Sequence, residues 1–186
     1  MTRSDENMQT GLRRIVVVDE NERSKAIFDG PTPDVRTDPA RPGYVSARMW
    51  VSESTPVPLK NLRESLHLPH TLEPPPKGSV CRVVTFPPDA SWAGRVGQKE
   101  VQAFFEAMGS PAASTGGKGA PHPYMQKTRT LDFCLVIEGE ITLVLDTEEV
   151  HLSAGDTVVQ RGTNHAWSNR SNKPCVIAFS SHDGVW

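Results

Sequence analysis

Between Thr130 and Ser180 six β-prone runs follow one another closely: 130–137, 140–145, 150–152, 157–160, 165–169 and 175–180. Turn-forming breaks separate them, at Glu138-Gly139, Asp146-Thr147-Glu148, Ala154-Gly155-Asp156, Arg161-Gly162 and Asn172-Lys173-Pro174. No helix-length insertion intervenes, so neighbouring strands must pair antiparallel. Runs this short and this close build a sandwich or a barrel, not an open parallel sheet.

The preceding part of the chain is more irregular. Residues 1–12 are polar and aperiodic and are expected to form a flexible arm. Strands are predicted over 14–18, 24–28, 46–51 and 80–86, with a Gly/Pro/Asp-rich loop over 29–44 and irregular structure with one helical turn over 60–77. One helix is predicted over 97–108: Val101, Phe104, Phe105 and Met108 fall at helical spacing, and Gly109 stands where a left-handed cap belongs. A Ser/Gly-rich loop follows over 110–119. The expected organisation is an arm over 1–12, extension strands and a flanking helix over 13–110, and a barrel core over 111–186.

Composition narrows the function classes. A chain of 186 residues is the length of a single domain. Its formal charge of −2, with no basic cluster, argues against nucleic acid as a partner. No apolar run approaches the roughly 18 residues of a membrane span, and no apolar signal segment follows Met1, so a cytoplasmic protein without membrane contact is expected. Cys81, Cys134 and Cys175 are widely spaced and form neither a disulfide framework nor a zinc knuckle.

The text from Asp132 to Gly139, and then Gly155-Asp156-Thr157-Val158-Val159-Gln160-Arg161-Gly162-Thr163-Asn164-His165-Ala166-Trp167-Ser168-Asn169, resembles the cupin superfamily. It is most similar to the stand-alone single-barrel cupins. The resemblance is strong over 122–180 and weaker over 13–110, and it implies an all-β, jelly-roll-like barrel. His165 and Asn169 fall on the histidine and asparagine of the family's second motif, although Gln160 or Arg161 stands where proline is usual. In the first motif Gly139 sets the register and puts Asp132, not glutamate, at the carboxylate position. The two histidine positions then fall on Gln126 and Thr128, or on Met125 and Lys127 in the register one residue longer. The family's metal site is therefore short of two imidazoles. Any divalent metal (iron, manganese, nickel or zinc) would be held weakly, by His165, Asp132 and Gln126.

On an extended strand, alternate residues share a face, so His122, Tyr124, Gln126, Thr128 and Asp132 would point the same way. His165 is then the natural acid or base, with Asp132 as an acidic partner or an orienting group. Gln126, Thr128 and Tyr124 would hydrogen-bond the substrate. Trp167, Trp50 and His122 are expected at the wall or mouth of the pocket. Cys134 shares the face of Asp132, and a nucleophilic role would require a depressed pKa. His67, His70, His151 and His182 are expected at the surface, and Asn169 is expected to fix a turn.

These residues suit a small-molecule lyase or isomerase performing decarboxylation, dehydration or cyclisation on a hydrophobic or aromatic oxygenated metabolite. The resemblance adds secondary metabolism as a setting and a homodimer as the assembly. Two other readings stand beside it. One is a metal-dependent oxygenase, with His122 as a further ligand; the other is a binding barrel without catalysis.

Overall fold

Polar and apolar residues alternate along strands wherever one face is buried, and the chain folds accordingly. The computed structural model describes residues 12–61 and 63–186. Residues 1–11 of the expected arm lie outside them. In chain order the strands are β1 (Arg13–Glu20), β2 (Arg23–Pro31), β3 (Val35–Thr37), β4 (Val45–Ser52) and β5 (Ser79–Phe86). After helix α1 (Gln98–Ala107) come β6 (Thr130–Glu138), β7 (Glu140–Val144), β8 (Glu149–Ser153), β9 (Thr157–Arg161), β10 (Ala166–Ser168) and β11 (Cys175–Asp183). They form a β1–β2 hairpin, a three-stranded sheet in the order β10-β7-β8, and a six-stranded sheet in the order β3-β4-β5-β11-β6-β9. All pairings are antiparallel.

The 13–110 segment does more than lie on the barrel. Strand β5 pairs with β11, so β3, β4 and β5 continue the sheet begun by β6, β9 and β11. The β3 strand falls inside the stretch read as loop, because three residues are too few to display alternation. Inward-facing residues meet in rows across this sheet. Arg82, Phe179 and Cys134 are paired neighbours in one row; Val80, Ser181, Asp132 and Gln160 form the next.

Strand β6 has an unusual polarity. Its buried side chains are Thr130, Asp132, Cys134 and Val136, whereas Phe133, Leu135 and Ile137 are exposed. A strand that turns its polar residues inward has an interior that serves more than packing.

Trp50 does not reach that interior. The β4–β5 register shifts between Arg48, opposite Arg82, and Trp50, opposite Cys81. The bulge moves Trp50 to the face opposite Arg48 and Arg82, where the Arg14 guanidinium lies 5.2 Å from its ring. Simple alternation would have placed it inside.

His70 also departs from expectation, being buried. Arg48 donates to the carbonyls of Leu66, Leu68 and Pro69 and pairs with Asp34, drawing this segment onto the sheet. His70 Nδ1 then meets Asp34 Oδ1 at 3.1 Å.

Helix α1 packs Val101, Phe104 and Phe105 against the barrel, and Glu100 accepts from the N–H of Gly97 at its start. Gly109 ends it at φ +65°, and a Cβ there would meet the His70 carbonyl oxygen at 2.1 Å. Gly139 at φ +79° likewise turns β6 into β7.

Asn169 is fully buried and fixes a turn. Its amide donates to the carbonyls of Phe86 and Lys173, and its oxygen accepts from the backbone and side chain of Ser171. Asn169→Ala strands buried carbonyls, so a loss of about 2 kcal/mol or more is expected, read from the urea midpoint. A loss below about 0.5 kcal/mol would place this turn outside the stability of the barrel.

Candidate functional site

The two sheets are joined at their open edge by the chain itself. Gln126 N–H donates to the His165 carbonyl at 2.8 Å, and His165 N–H returns a bond to the Gln126 carbonyl at 2.9 Å. This isolated antiparallel bridge sets both side chains against one cavity of about 80 Å³. Of the residues singled out from the sequence, Tyr124, Gln126, Thr128, Asp132, His165 and Trp167 line it. Alternation from 126 to 132 therefore holds even though the regular strand begins only at Thr130.

His122 does not line the cavity. Residues 121–124 form a turn, as the flanking Pro121 and Pro123 favour. The His122 ring sits behind the wall, against Trp92 and 3.9 Å from Asp89. A larger depression of about 480 Å³ opens near Arg48, Pro74 and Lys127, away from this chemistry.

The protonation of His165 follows from its partners. Nδ1 lies 3.0 Å from the Thr163 carbonyl, which can only accept, so Nδ1 carries the proton. Nε2 is left with a lone pair, and the Gln126 amide nitrogen approaches it at 3.4 Å. Gln160 donates to the same Thr163 carbonyl and so steadies it. Burial pushes the His165 pKa down, opposed by the Thr163 hydrogen bond and the Asp132 charge. The result is a neutral imidazole, held in one tautomer, with Nε2 on the cavity side beside the Gln126 amide.

Asp132 is not hydrogen-bonded to His165. Thr130 donates to Asp132 Oδ2 at 2.8 Å, and Thr128 and Thr130 share a further hydroxyl bond of 2.8 Å. The group orienting the imidazole is thus the Thr163 carbonyl, and Asp132 acts on His165 through its charge. Burial raises the Cys134 thiol to about 12, so it stays protonated.

A metal fits these residues poorly. Among the described residues no three His, Cys, Asp or Glu side chains converge. The wall offers one imidazole, one carboxylate and two amides (Gln126 and Gln160). The carboxylate is tied into a hydroxyl chain, and the imidazole lone pair is covered by an amide. That is not the donor set of a tightly held divalent ion.

Further wall residues are Arg41 and Tyr44 from the stretch read as loop, Arg82 from a predicted strand, and Phe104 and Phe105 from the packing face of the helix. Arg41 is buried with its guanidinium 3.5 Å from the Tyr124 ring centre, 4.2 Å from that of Tyr44 and 4.4 Å from that of Phe104. Its Nε is 2.7 Å from Asp38 Oδ2, which also accepts from the Tyr124 hydroxyl at 3.0 Å. A Gly/Pro/Asp-rich stretch gave no sign of this, but a strand-flanking D-x-x-R-x-x-Y was there to be read.

Residues 115–181 match the family described as a cupin domain. These residues are a cupin domain. The fold is the all-β cupin fold that the resemblance implied. The chain is 53% identical over 49 residues to Phomopsin biosynthesis cluster protein C' of Diaporthe leptostromiformis, a match covering 26% of each. It is 50% identical over 50 residues to Oryzines biosynthesis cluster protein J of Aspergillus oryzae, covering 26% of this chain and 28% of that one. The chain thus spans about a quarter of the length of the curated relatives it matches. A similar solved structure is that of a cupin 2 conserved barrel domain protein from Salinispora arenicola, with 13% identity, TM-score 0.40 and coverage of 81% of this chain and 82% of that one. Another is a putative ethanolamine utilization protein Q from Salmonella typhimurium, with 9% identity, TM-score 0.44 and coverage of 95% and 99%. Among the described residues no helix is long and apolar enough to cross a membrane.

Stability should carry the mark of these buried imidazoles. Burial lowers the pKa of His165, and it lowers that of His70 to about 4 against the pull of Asp34. Both are neutral when folded, whereas in the unfolded chain each takes up a proton near its ordinary 6.5. Stability is therefore expected to fall as pH drops from about 6.5 towards 4. His70→Gln, which cannot titrate, should lose less over that range. An equally steep loss in the variant would contradict the burial account.

Proposed function

We propose that this chain is a small-molecule lyase or isomerase in which His165 moves a proton within the barrel cavity. The observation that carries the reading is the neutral, tautomer-locked imidazole at the wall of the barrel cavity, with its Nε2 lone pair beside the Gln126 amide. A base buried from water, with pKa below the ordinary range, is present in its basic form at neutral pH. Asp132 stabilises the imidazolium formed when Nε2 takes a proton, through the charge that already acts on His165. Gln126 withdraws from Nε2 or turns its amide to leave that nitrogen free for substrate. Thr128 and Tyr124 offer hydroxyl groups on the wall, and Trp167 and Phe179 form its apolar part.

The relatives support the setting, since both carry names from biosynthesis clusters. Secondary metabolism, with decarboxylation, dehydration or cyclisation of a hydrophobic oxygenated metabolite, is the reading this favours. Metal-dependent oxygenation is less well supported, because one imidazole and one tied carboxylate are a meagre ligand set.

The test is proton exchange and elimination in deuterium oxide with two probes. For 4-phenyl-2-butanone, deuterium incorporation beside the carbonyl is followed; for 3-hydroxy-3-phenylpropanoate, the loss of water. Protein-dependent turnover of either, reduced about 100-fold or more in His165→Gln, is expected. Turnover at the buffer rate with both probes, or unchanged turnover in the variant, would contradict the reading. Binding of a probe without turnover would instead point to a binding barrel.

A further inference from the structure

Two hollows of unequal size lie against one face of the six-stranded sheet. Arg48 and Arg82 are cross-strand neighbours on that face, yet Arg48 lines the depression and Arg82 lines the cavity. Val80, at the depression, stands in one row with Ser181 and Asp132, at the cavity. Lys127 borders the depression, and its neighbours Gln126 and Thr128 border the cavity. The two spaces are therefore one stretch of barrel interior with a partition across it.

The partition is the segment from Thr71 to Glu73. Leu72 lines the cavity, whereas Thr71 and Glu73 on either side of it line the depression. Among the described residues these three belong to no strand or helix and make no backbone-to-backbone hydrogen bond. Their ties to the rest of the fold run through side chains. Arg82 Nη2 donates to the carbonyls of Thr71 and Leu72 at 2.8 and 2.9 Å, and Leu72 N–H donates to Ser110 Oγ at 2.9 Å. The Glu73 carboxylate accepts from the N–H of Arg129 at 2.8 Å. A strap held in this way can lift without breaking a strand ladder, and segments of this kind open at less cost than the sheet beneath them.

The geometry points to a two-chamber substrate site: the Thr71–Glu73 strap lifts, the cavity joins the depression, and a substrate sets its reacting end beside His165 and its apolar body in the depression. The cavity of about 80 Å³ is well below the roughly 300–1,000 Å³ of pockets that enclose whole ligands, whereas the depression of about 480 Å³ falls within that range. Val51, Leu68, Pro69, Pro75 and Pro111 give the depression apolar walls, which suit an uncharged aromatic or aliphatic body. The inference rests on the cavity being the reaction site, and not on what His165 does there.

The cysteines sit at different depths and supply the test. Cys81 is exposed, Cys134 lines the cavity, and Cys175 is buried in the core and lines neither hollow. Iodoacetamide and N-benzyliodoacetamide each transfer their alkyl group to a thiolate sulfur with loss of iodide, and peptide mass spectrometry gives the rate at each cysteine. Burial holds the Cys134 thiol protonated, so its alkylation at a pH of about 8.5 reports opening. Cys134 should react with both reagents about tenfold or more faster than Cys175, which is reached only when the whole barrel opens. Ser110→Ala removes a tie to the strap and Leu72→Ala removes the partitioning side chain; each should speed Cys134 about threefold or more and leave Cys175 unchanged. Ala112→Trp, on the exposed wall of the depression, should slow the benzyl reagent at Cys134 several-fold more than the small one. A Cys134 rate equal to that of Cys175 would overturn the inference. So would a Cys134 rate indifferent to both Ser110→Ala and Leu72→Ala in variants that melt cooperatively, or one indifferent to Ala112→Trp with both reagents. Because alkylation is read and not turnover, an inactive protein with a gated Cys134 refutes only the proton-transfer reading, and an active protein with an ungated one refutes only the two-chamber site.

Discussion

The pair of backbone bonds between Gln126 and His165 is the constraint on which the site depends. Strands β6 and β10 belong to different sheets, and this bridge ties the segment before one to the segment before the other. It holds the imidazole against the Gln126 amide and leaves Nδ1 to the Thr163 carbonyl. The Thr163 carbonyl sets the tautomer, burial sets the charge state, and the closure places Nε2 beside the Gln126 amide. With glutamine at 126, the side chain that the closure brings to the imidazole lone pair is an amide.

Around that closure the barrel interior is organised by charges kept out of water. Arg41 answers Asp38, and Arg48 answers Asp34, each at ion-pair distance. Arg82 answers carbonyls and a carboxylate further away. Buried charges persist only where partners compensate them, so each arginine fixes the loops that supply its partners. Arg48 draws in the 66–70 segment, and Arg82 draws in Thr71 and Leu72. Arg41 gathers Tyr44, Phe104 and Tyr124 into a cage that closes one end of the cavity. The aromatic wall is thus a consequence of the same buried cations.

Much of this was legible in the sequence, for physical reasons that can be named. Strand runs between Thr130 and Ser180 announced themselves because turn residues separate them, and Gly109 and Gly139 sit where positive φ is needed. The face shared by Gln126, Thr128 and Asp132 followed from two-residue alternation. Trp50 escaped because a bulge reverses its face, and bulges leave no mark on alternation until pairing is known. His70 and His122 escaped because their burial depends on contacts distant in sequence, Asp34 with Arg48 for one and Asp89 with Trp92 for the other. Arg41, Tyr44 and Arg82 were hidden for the same reason. A buried arginine reads as a surface residue until its partners are placed around it.

The central claim is the state of one imidazole. Nitrogen-15 NMR of the histidine side chains, with His165→Gln to assign the signal, measures it directly across pH 4 to 8. The account predicts that His165 is neutral at pH 7 with its proton on Nδ1, and that it titrates below 6.5. A charged ring at pH 7, or a neutral ring protonated on Nε2, would contradict it.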